Sequence, residues 1–265
     1  MSKKISVVVH TFNNEKIIRR CLESLRSFDE IVICDMYSTD DTLKIAEEYN
    51  CKIVMHENIG WADPARNYAI SQASNEWVLV VDSDEVITPE LRDYLYKFIE
   101  KPQNYSGIKI PRLNYSWGEP LEILYPDYIV RFFKKQFIYW PPYVHATPQI
   151  SEGEMLTMPK DDKKLAIVHY QNWTISKLLK MLDRYTELEL EKLIQRKAKF
   201  SVFSCIYKSI WIVLEKFFIK KGYKDGFRGW IVSVMFYGCY KFCAQVKYWE
   251  YLNKEKFRVN EGANV

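Results

Sequence analysis

Residues 77–85 read WVLVVDSDE and join an apolar run to a cluster of acids. Five consecutive apolar residues are typical of a buried strand. Three carboxylates then follow within four positions, at Asp82, Asp84 and Glu85. Carboxylates this close repel one another unless a cation or another partner compensates their charge. The stretch therefore predicts a core strand with a functional site at its carboxyl end.

Further strands alternate with helices before this stretch. Strands are predicted at residues 5–10, 30–35, 51–56 and 76–82, and segments with helical spacing of apolar residues separate them. The alternation predicts an α/β fold built on a mostly parallel sheet flanked by helices. Such sheets bind ligands at the carboxyl ends of their strands, and Asp35 and Asp82 both fall there.

The pattern changes after residue 101. Short segments broken by prolines predict antiparallel additions to the sheet, at residues 107–116, 128–135, 147–150 and 165–170. From residue 174 onward the spacing is helical. The chain therefore divides into a sheet domain, residues 1–173, with halves 1–101 and 102–173, and a helical C-terminal region, residues 174–265.

Composition limits the class of protein. A chain of 265 residues suits one large domain or one domain with an appendage. A net charge of +4 does not indicate a nucleic-acid binder. The six cysteines include no CxxC pair, and the first residues are too short an apolar run for a signal peptide. We therefore expect a cytoplasmic location.

The C-terminal region combines apolar helices with basic charge. Residues 196–228 hold nine Lys or Arg and two acids. Apolar helices are predicted at residues 202–219 and 228–251. Within the second, residues 229–246 hold one formal charge, Lys241, and are diluted by Ser233, Gly238 and Gln245, which makes this stretch marginal for a bilayer span of about 20 apolar residues. We expect an amphipathic extension that contacts the inner face of the cell membrane peripherally. The alternative is a helical pair packed on the sheet domain or on a second subunit, which leaves a homo-oligomer open.

The acids after the strand suggest a metal site. On a continuing strand, Asp82 and Asp84 would share a face, and Mg²⁺ or Mn²⁺ would relieve their repulsion. Such a cation would in turn neutralise a departing diphosphate. The alternative is that the acids favour a helix N-terminus, a role that fits Glu85 better than metal binding.

Segments of residues 5–90 match a known pattern in order: VVVHTFNNE, IIRRCLESL, DEIVICDMYSTDDT, ARNYAI and WVLVVDSDE. Together they resemble glycosyltransferase family 2, which has the GT-A fold. Later segments are similar to the lipopolysaccharide-core β-1,4-glucosyltransferase branch: YPDYIVRFFKK, YVH, IVHY, RYTELE and GYKDGFRGW. The resemblance implies a nucleotide-binding half at residues 1–101, an acceptor half at residues 102–173 and an inverting reaction.

The resemblance also implies nucleotide-binding residues. They are Thr11, Phe12, Asn13, Glu15, Asp35, Arg66 and Asp82. The first four could instead form a turn and a helix cap, and Asp35 could form an Asx turn. For Arg66 the alternative is a buried ion pair with Asp35. Arg131 and Lys134 would serve a diphosphate, or else lie on the polar face of an edge strand.

Metal and base residues follow from the same resemblance. Asp84 and His169 are the candidate metal ligands, and a neutral imidazole suits Mn²⁺. An inverting enzyme needs a general base to deprotonate the acceptor hydroxyl. The related pattern reads Val-His-Glu where this chain has Ala146 in the glutamate position. The candidates are therefore Asp127 first and His145 second, and Glu152 and Glu154 could substitute if the loop is rearranged. For Asp127 the alternative is a turn residue.

The expected function is transfer of a sugar from a nucleotide-sugar donor, UDP-linked, to a bacterial surface glycan or glycolipid such as lipopolysaccharide core. Mn²⁺ or Mg²⁺ is the expected cofactor, and no nucleic-acid partner is expected. One alternative is a non-catalytic membrane-associated scaffold, suggested by Ala146. The other is a nucleotidyltransferase, which normally carries a glycine-rich loop that the segment HTFNNE lacks.

Overall fold

The computed structural model describes residues 3–58, 63–141, 147–171 and 173–261. The chain forms two compact units. The first comprises Met1–Tyr115 and Tyr125–Gln171, and the second comprises Ser116–Leu124 and Asn172–Val265. The second unit thus includes residues 116–124, which the sequence analysis assigned to the acceptor half of the sheet domain.

The described strands and helices are as follows. The strands are β1 (Ile5–Thr11), β2 (Glu30–Asp35), β3 (Lys52–Met55), β4 (Trp77–Asp82), β5 (Glu85–Val86), β6 (Tyr105–Ser116), β7 (Glu119–Pro120), β8 (Asp127–Lys134), β9 (Ile138–Tyr139), β10 (Gln149–Ile150), β11 (Glu154–Thr157) and β12 (Ile167–Tyr170). The helices are α1 (Ile18–Leu25), α2 (Thr42–Glu48), α3 (Asp63–Ser71), α4 (Pro89–Glu100), α5 (Ile175–Gln195), α6 (Val202–Leu214), α7 (Gly226–Ile231), α8 (Tyr240–Leu252) and α9 (Lys254–Glu261).

The first unit is built on a mixed sheet with the strand order β3-β2-β1-β4-β8-β6-β12-β5. Strands β3, β2, β1 and β4 are parallel, as predicted. All seven residues of β1 are buried, because helices cover both faces of this part of the sheet. One face packs on α1 through Ile18, Cys21, Leu22 and Leu25, which have the predicted helical spacing. The parallel half therefore places its strand ends at one edge.

The later strands only partly match the antiparallel prediction. β8 is antiparallel to both β4 and β6, as expected. β12, however, runs parallel to β6, although it is antiparallel to β5, and β10 pairs antiparallel with β9 in a separate two-stranded sheet. The antiparallel prediction thus holds for β12 on one side only, and β10 does not join the main sheet, because a short apolar segment carries no information on its partner. The sheet is consequently mixed, and β6 is flanked by β8 and β12.

The second unit is helical. Two of its helices, α5 and α6, begin at a side-chain cap: Thr174 Oγ1 accepts from Lys177 N at 3.2 Å, and Ser201 Oγ accepts from Ser204 N at 3.4 Å. α6 continues as a π-helical segment, Glu215–Ile219, and α7 continues through another, Val232–Cys239, into α8. Across the described part of the chain, none of the helices has the length and apolar character needed to span a membrane.

The segment Ser116–Leu124 is anchored inside this unit. Leu121 and Ile123 pack with Val232 in a small apolar cluster. Asp225, which is buried, accepts from Glu122 N at 2.7 Å and from Ile123 N at 2.8 Å. The segment is therefore held by both apolar contacts and hydrogen bonds to residues that follow it by about a hundred positions.

Candidate active site

The acidic cluster lies in a tight turn. β4 ends at Asp82, residues 83 and 84 form the turn, and β5 begins at Glu85. Asp82 and Asp84 therefore do not share the face of one strand, and that expectation was wrong because the strand stops between them. The turn instead directs their carboxylates to different partners.

Glu85 has a structural role in this turn. Its fully buried carboxylate accepts from Asp82 N at 2.9 Å and pairs with Arg112 Nη1 at 3.1 Å. The sequence analysis favoured a helix cap for Glu85, which was wrong. The cap of α4 is Thr88, whose Oγ1 accepts from Leu91 N at 3.1 Å. Glu85 lies three residues earlier, inside a strand, and fixes the shape of the turn.

Asp82 is enclosed by two arginines. Arg66 Nη2 lies 3.3 Å from Asp82 Oδ1, and Arg131 Nη2 contacts Asp82 Oδ2. Burial alone would raise the pKa of Asp82, but attraction to Arg131 and Arg66 outweighs it and holds that pKa well below its ordinary range. Both guanidinium groups also lie over the ring of Trp140, at 4.6 and 5.9 Å from its centroid. Asp82 is therefore ionised and already charge-paired.

Two earlier interpretations change with this arrangement. The described ion pair of Arg66 is with Asp82, and not with Asp35 as the alternative proposed. Arg131 is buried in β8, which lies between β4 and β6, so it is not on the polar face of an edge strand. Its charge is needed inside the sheet to balance Asp82.

His10 lies beside this charged group on β1. It is the register partner of Asp82 and is almost fully buried. Burial, reinforced by repulsion from Arg66, lowers the pKa of His10 from 6.5 to about 3. The imidazole is therefore neutral in the folded protein across the physiological range.

His10 should make the protein acid-labile. Between pH 6.5 and 3 the unfolded chain binds a proton at His10 that the folded chain does not, so stability falls as pH falls through this range. From pH 7 to pH 5 this group alone should cost about 2 kcal/mol. Urea unfolding at pH 5, 6 and 7 should show a smaller loss for His10→Gln than for the wild type. Equal losses would contradict the neutral assignment.

A second set of polar side chains lies at the ends of β6, β8 and β12. His169 Nε2 is 3.2 Å from Asp84 Oδ2, and His169 Nδ1 is 2.7 Å from Asn114 Oδ1. Asn114 Nδ2 is 3.3 Å from Asp127 Oδ2. Arg112 donates to that same oxygen from Nε at 2.9 Å and from Nη2 at 2.6 Å. The two candidate metal ligands and the first candidate base thus belong to one connected network.

Asp84 and His169 supply some, but not all, of the ligands that a divalent cation needs. Asp84 offers a carboxylate oxygen and His169 an imidazole nitrogen, a pair that suits Mn²⁺. Within the described ranges, no group of three or more His, Cys, Asp or Glu side chains is arranged to hold a metal ion. A cation held by Asp84 and His169 would therefore take its remaining ligands from water and from a bound diphosphate.

The loops after β1 and β2 are bonded to each other. Asn13 N donates to Ser38 Oγ at 2.8 Å, and Thr39 N donates to Asn13 Oδ1 at 2.8 Å. Glu15 N donates to Asp40 Oδ2 at 3.1 Å, and Glu15 Oε2 accepts from Asp41 N at 3.2 Å. The side chains of Asn13 and Glu15 therefore shape the loops.

The remaining nucleotide candidates differ in exposure. Phe12 is exposed, as is Tyr37 in the neighbouring loop, whereas Thr11 is buried and its Oγ1 accepts from Asn14 Nδ2 at 3.1 Å. Asp35 is buried and accepts from Ser38 N at 2.7 Å and from Ser38 Oγ at 2.5 Å. Its side chain therefore shapes the local loop, although the bond reaches the backbone three residues on rather than the two of an Asx turn. The rings of Phe12 and Tyr37 are thus presented to solvent at this edge, where Asn13 is also exposed.

Some site residues were missed or lie outside the described structure. His145 and Ala146 fall outside the described residues. Arg112 and Asn114 were not recognised, although the alternation of polar and apolar residues along PRLNYS indicates that both point to one face of a strand. That alternation was the available signal; their partners were not predictable from it.

Comparison with known proteins identifies the family. Residues 6–149, more than half of the chain, match the model of glycosyl transferase family 2. The chain belongs to glycosyl transferase family 2. Family 2 membership, with the mixed sheet and flanking helices, gives it a GT-A-like α/β fold and the class of a nucleotide-sugar glycosyltransferase.

Individual family 2 relatives cover different parts of the chain. An uncharacterized glycosyltransferase from Rickettsia typhi is 28% identical over 247 residues, which are 88% of this chain and 83% of the relative. Poly(ribitol-phosphate) β-N-acetylglucosaminyltransferase TarS from Staphylococcus aureus is 39% identical over 109 residues, 37% of this chain and 19% of TarS. A crystal structure of S. aureus TarS aligns with a TM-score of 0.48 and 23% identity over 87% of this chain and 48% of that chain. A similarity at that score adds nothing to the family assignment.

Proposed function

We propose that the protein is an inverting glycosyltransferase that uses a UDP-linked sugar and a divalent cation. The observation that carries this proposal is the convergence of Asp84 Oδ2 and His169 Nε2 to 3.2 Å at the carboxyl end of the sheet. Two acceptor atoms at this distance are suited to a cation such as Mn²⁺ or Mg²⁺. Bound there, the cation would supply Lewis-acid neutralisation of the departing diphosphate.

The donor nucleotide is assigned to the edge formed by the loops after β1 and β2. The exposed ring of Phe12 offers a stacking surface for the base, and Asn13 and Glu15 hold the loop that presents it. Thr11 and Asp35 are buried and support these loops through hydrogen bonds to Asn14 and Ser38. Arg66 and Asp82 complete the set: the arginine supplies positive charge toward the phosphates and the aspartate holds it in place.

Asp127 is the proposed general base. Its side chain is 36% exposed, and the hydrogen bonds described for it all end on Oδ2. Oδ1 is thereby the oxygen oriented toward an acceptor hydroxyl. Arg112 and Asn114 hold the carboxylate in one orientation, which a base needs if it is to reach the reacting hydroxyl. His145 remains the second candidate.

The acceptor is proposed to be a bacterial surface glycan or glycolipid such as lipopolysaccharide core. The segments similar to lipopolysaccharide-core β-1,4-glucosyltransferases support this class. The similarity to TarS, named for its action on poly(ribitol-phosphate), supports a surface polymer more generally.

Product analysis tests the reaction class. Purified protein incubated with UDP-sugars, Mn²⁺ and a bacterial glycolipid extract should release UDP. Release of pyrophosphate would instead identify a nucleotidyltransferase. Release of neither product, with no slow hydrolysis of the donor, would favour a non-catalytic scaffold.

Peripheral contact with the inner face of the cell membrane is proposed for the face of α6. The buried residues of this helix are the small Cys205 and Ser209, whereas its large side chains are exposed. Phe203 is 78% exposed, and its ring stacks on Tyr207, which stacks on Trp211. The apolar face is formed by Val202, Phe203, Ile206, Tyr207, Ile210, Trp211 and Leu214. Exposed lysines at 208, 220, 221 and 224 would attract anionic lipid.

Vesicle flotation tests this contact. The wild type should float with vesicles containing phosphatidylglycerol and less with phosphatidylcholine alone. The combined change Phe203→Ser, Tyr207→Ser and Trp211→Ser should weaken binding at least about tenfold, because it removes most of the apolar area. Tyr139→Ser, an exposed aromatic in the first unit, is the matched control. A stable dimer with no vesicle binding would favour a homo-oligomer instead.

A further inference from the structure

Asn114 connects the candidate metal ligands with the candidate base. It lies on β6, is 2% exposed, and stands in register with His169 on β12. Its side-chain amide has two contacts: Oδ1 is 2.7 Å from His169 Nδ1, and Nδ2 is 3.3 Å from Asp127 Oδ2. When both ends of a buried amide are hydrogen-bonded, the partner at one end fixes the direction of the amide. That direction then decides which amide atom faces the partner at the other end.

Asp127 fixes the direction of this amide. An ionised carboxylate only accepts hydrogen bonds, and Asp127 Oδ2 already accepts two from Arg112. The NH₂ end of Asn114 must therefore face Asp127, and the carbonyl end must face His169. The reversed amide would set two acceptor oxygens against each other.

The amide direction in turn fixes the histidine. Because Asn114 Oδ1 can only accept, His169 Nδ1 must carry a hydrogen. In the neutral ring the lone pair is then on Nε2, which faces Asp84 Oδ2 at 3.2 Å. Two acceptors that face each other at this distance are suited to a cation ligated by both.

We propose that Asn114 is a positioning residue that holds His169 as its Nδ1–H tautomer and so keeps Nε2 available to a divalent cation beside Asp84. This inference rests on the proposed function, which assigns Asp84 and His169 to the metal. Asp127 thus has two roles in this proposal. It is the base for the acceptor hydroxyl, and through Asn114 it orients the metal ligand His169. Loss of such an outer partner typically weakens metal binding about 10- to 100-fold.

The tautomer can be measured without metal or activity. The chain has four histidines, so ¹⁵N and ¹³C labelling of histidine gives few signals, and His169→Gln assigns the one of interest. At a pH of about 8.5, well above the ordinary histidine pKa of about 6.5, the wild type should show the Nδ1–H form. Asn114→Leu should lose it. Asn114→Ala, which removes the acceptor without adding a bulky side chain, should lose it as well.

Two results would overturn the proposal: an Nε2–H or doubly protonated His169 in the wild type, or an unchanged tautomer in Asn114→Leu or Asn114→Ala. Should the leucine variant not fold, the wild type and the alanine variant still decide.

Metal binding separates this proposal from the function on which it rests. In calorimetric titrations of Mn²⁺ in the presence of UDP, Asn114→Leu should bind about 10- to 100-fold more weakly than the wild type. Ser106→Ala, a buried polar control on the same strand, should bind normally. If the wild type binds no Mn²⁺, the metal assignment fails, whatever the tautomer. If it binds and Asn114→Leu binds equally well, only the role of Asn114 fails.

Discussion

Replacing Asp84 with alanine should abolish metal-dependent binding of the donor nucleotide and lower sugar transfer at least about 100-fold. Asp84 supplies the carboxylate of the proposed cation pair, and its neighbours offer no substitute: Asp82 is occupied by two arginines, and Glu85 is buried against Arg112. Calorimetric titration of UDP, GDP and CDP, with and without Mn²⁺, measures the binding and also identifies the nucleotide.

The turn itself should tolerate this change. The backbone carbonyl of Asp84 accepts from Tyr170 N at 3.0 Å, and this bond does not depend on the side chain. Asp84→Asn, which keeps the shape and removes the charge, should behave like the alanine variant. Asp161→Asn, a change to an exposed carboxylate, should bind as the wild type does. Metal-dependent UDP binding that survives in both Asp84 variants would remove Asp84 from the metal site.

Replacing Asp127 with asparagine should leave UDP binding nearly intact at saturating Mn²⁺ but slow sugar transfer by about 10²- to 10⁴-fold, the usual contribution of a general base. An amide of the same shape cannot take the proton of the acceptor hydroxyl. The loss should therefore appear in kcat, measured by release of UDP at saturating donor and acceptor.

Asp127→Asn has a second expected consequence. The amide no longer fixes the direction of Asn114, so Mn²⁺ affinity should also fall, although less than in Asn114→Leu. Arg112→Lys serves as a comparison, because it keeps a positive charge near Asp127 and loses the double contact to Oδ2. Near-normal kcat in Asp127→Asn would shift the role of base to His145.

The parallel half of the fold was predictable from the sequence for a clear reason. Its strands β1, β2 and β4 are buried on both faces, so they appear as continuous apolar runs. The same logic placed the polar residues at strand ends, including Asp35 and Asp82. The sequence pattern did not reveal the chain reversal between Asp82 and Asp84, because the turn residues Ser83 and Asp84 can also continue a strand.

The network around Asn114 was not predictable because it depends on register. Arg112 lies opposite Asp127, and Asn114 lies opposite His169, on two different neighbours of β6. A shift of one residue in either pairing would turn these side chains to the other face. Neither strand pair adjoins in sequence, and Asp84 and His169 are 85 residues apart. The sequence identified Asp84, Asp127 and His169 individually but not Arg112 or Asn114, and the pairing of the strands is what brings all five together.

The second unit is built from two separate segments of the chain, and this affects how it folds during synthesis. Residues 116–124 leave the ribosome early, yet Asp225, which binds two of their backbone amides, follows 103 and 102 residues later. At about 5 to 20 residues per second, the segment waits roughly 5 to 20 s for its partner. During this time Leu121 and Ile123 lack their apolar neighbour Val232. In a chain truncated near residue 173, Leu121 and Ile123 would never gain this neighbour. Their apolar side chains would then promote aggregation of the truncated molecules.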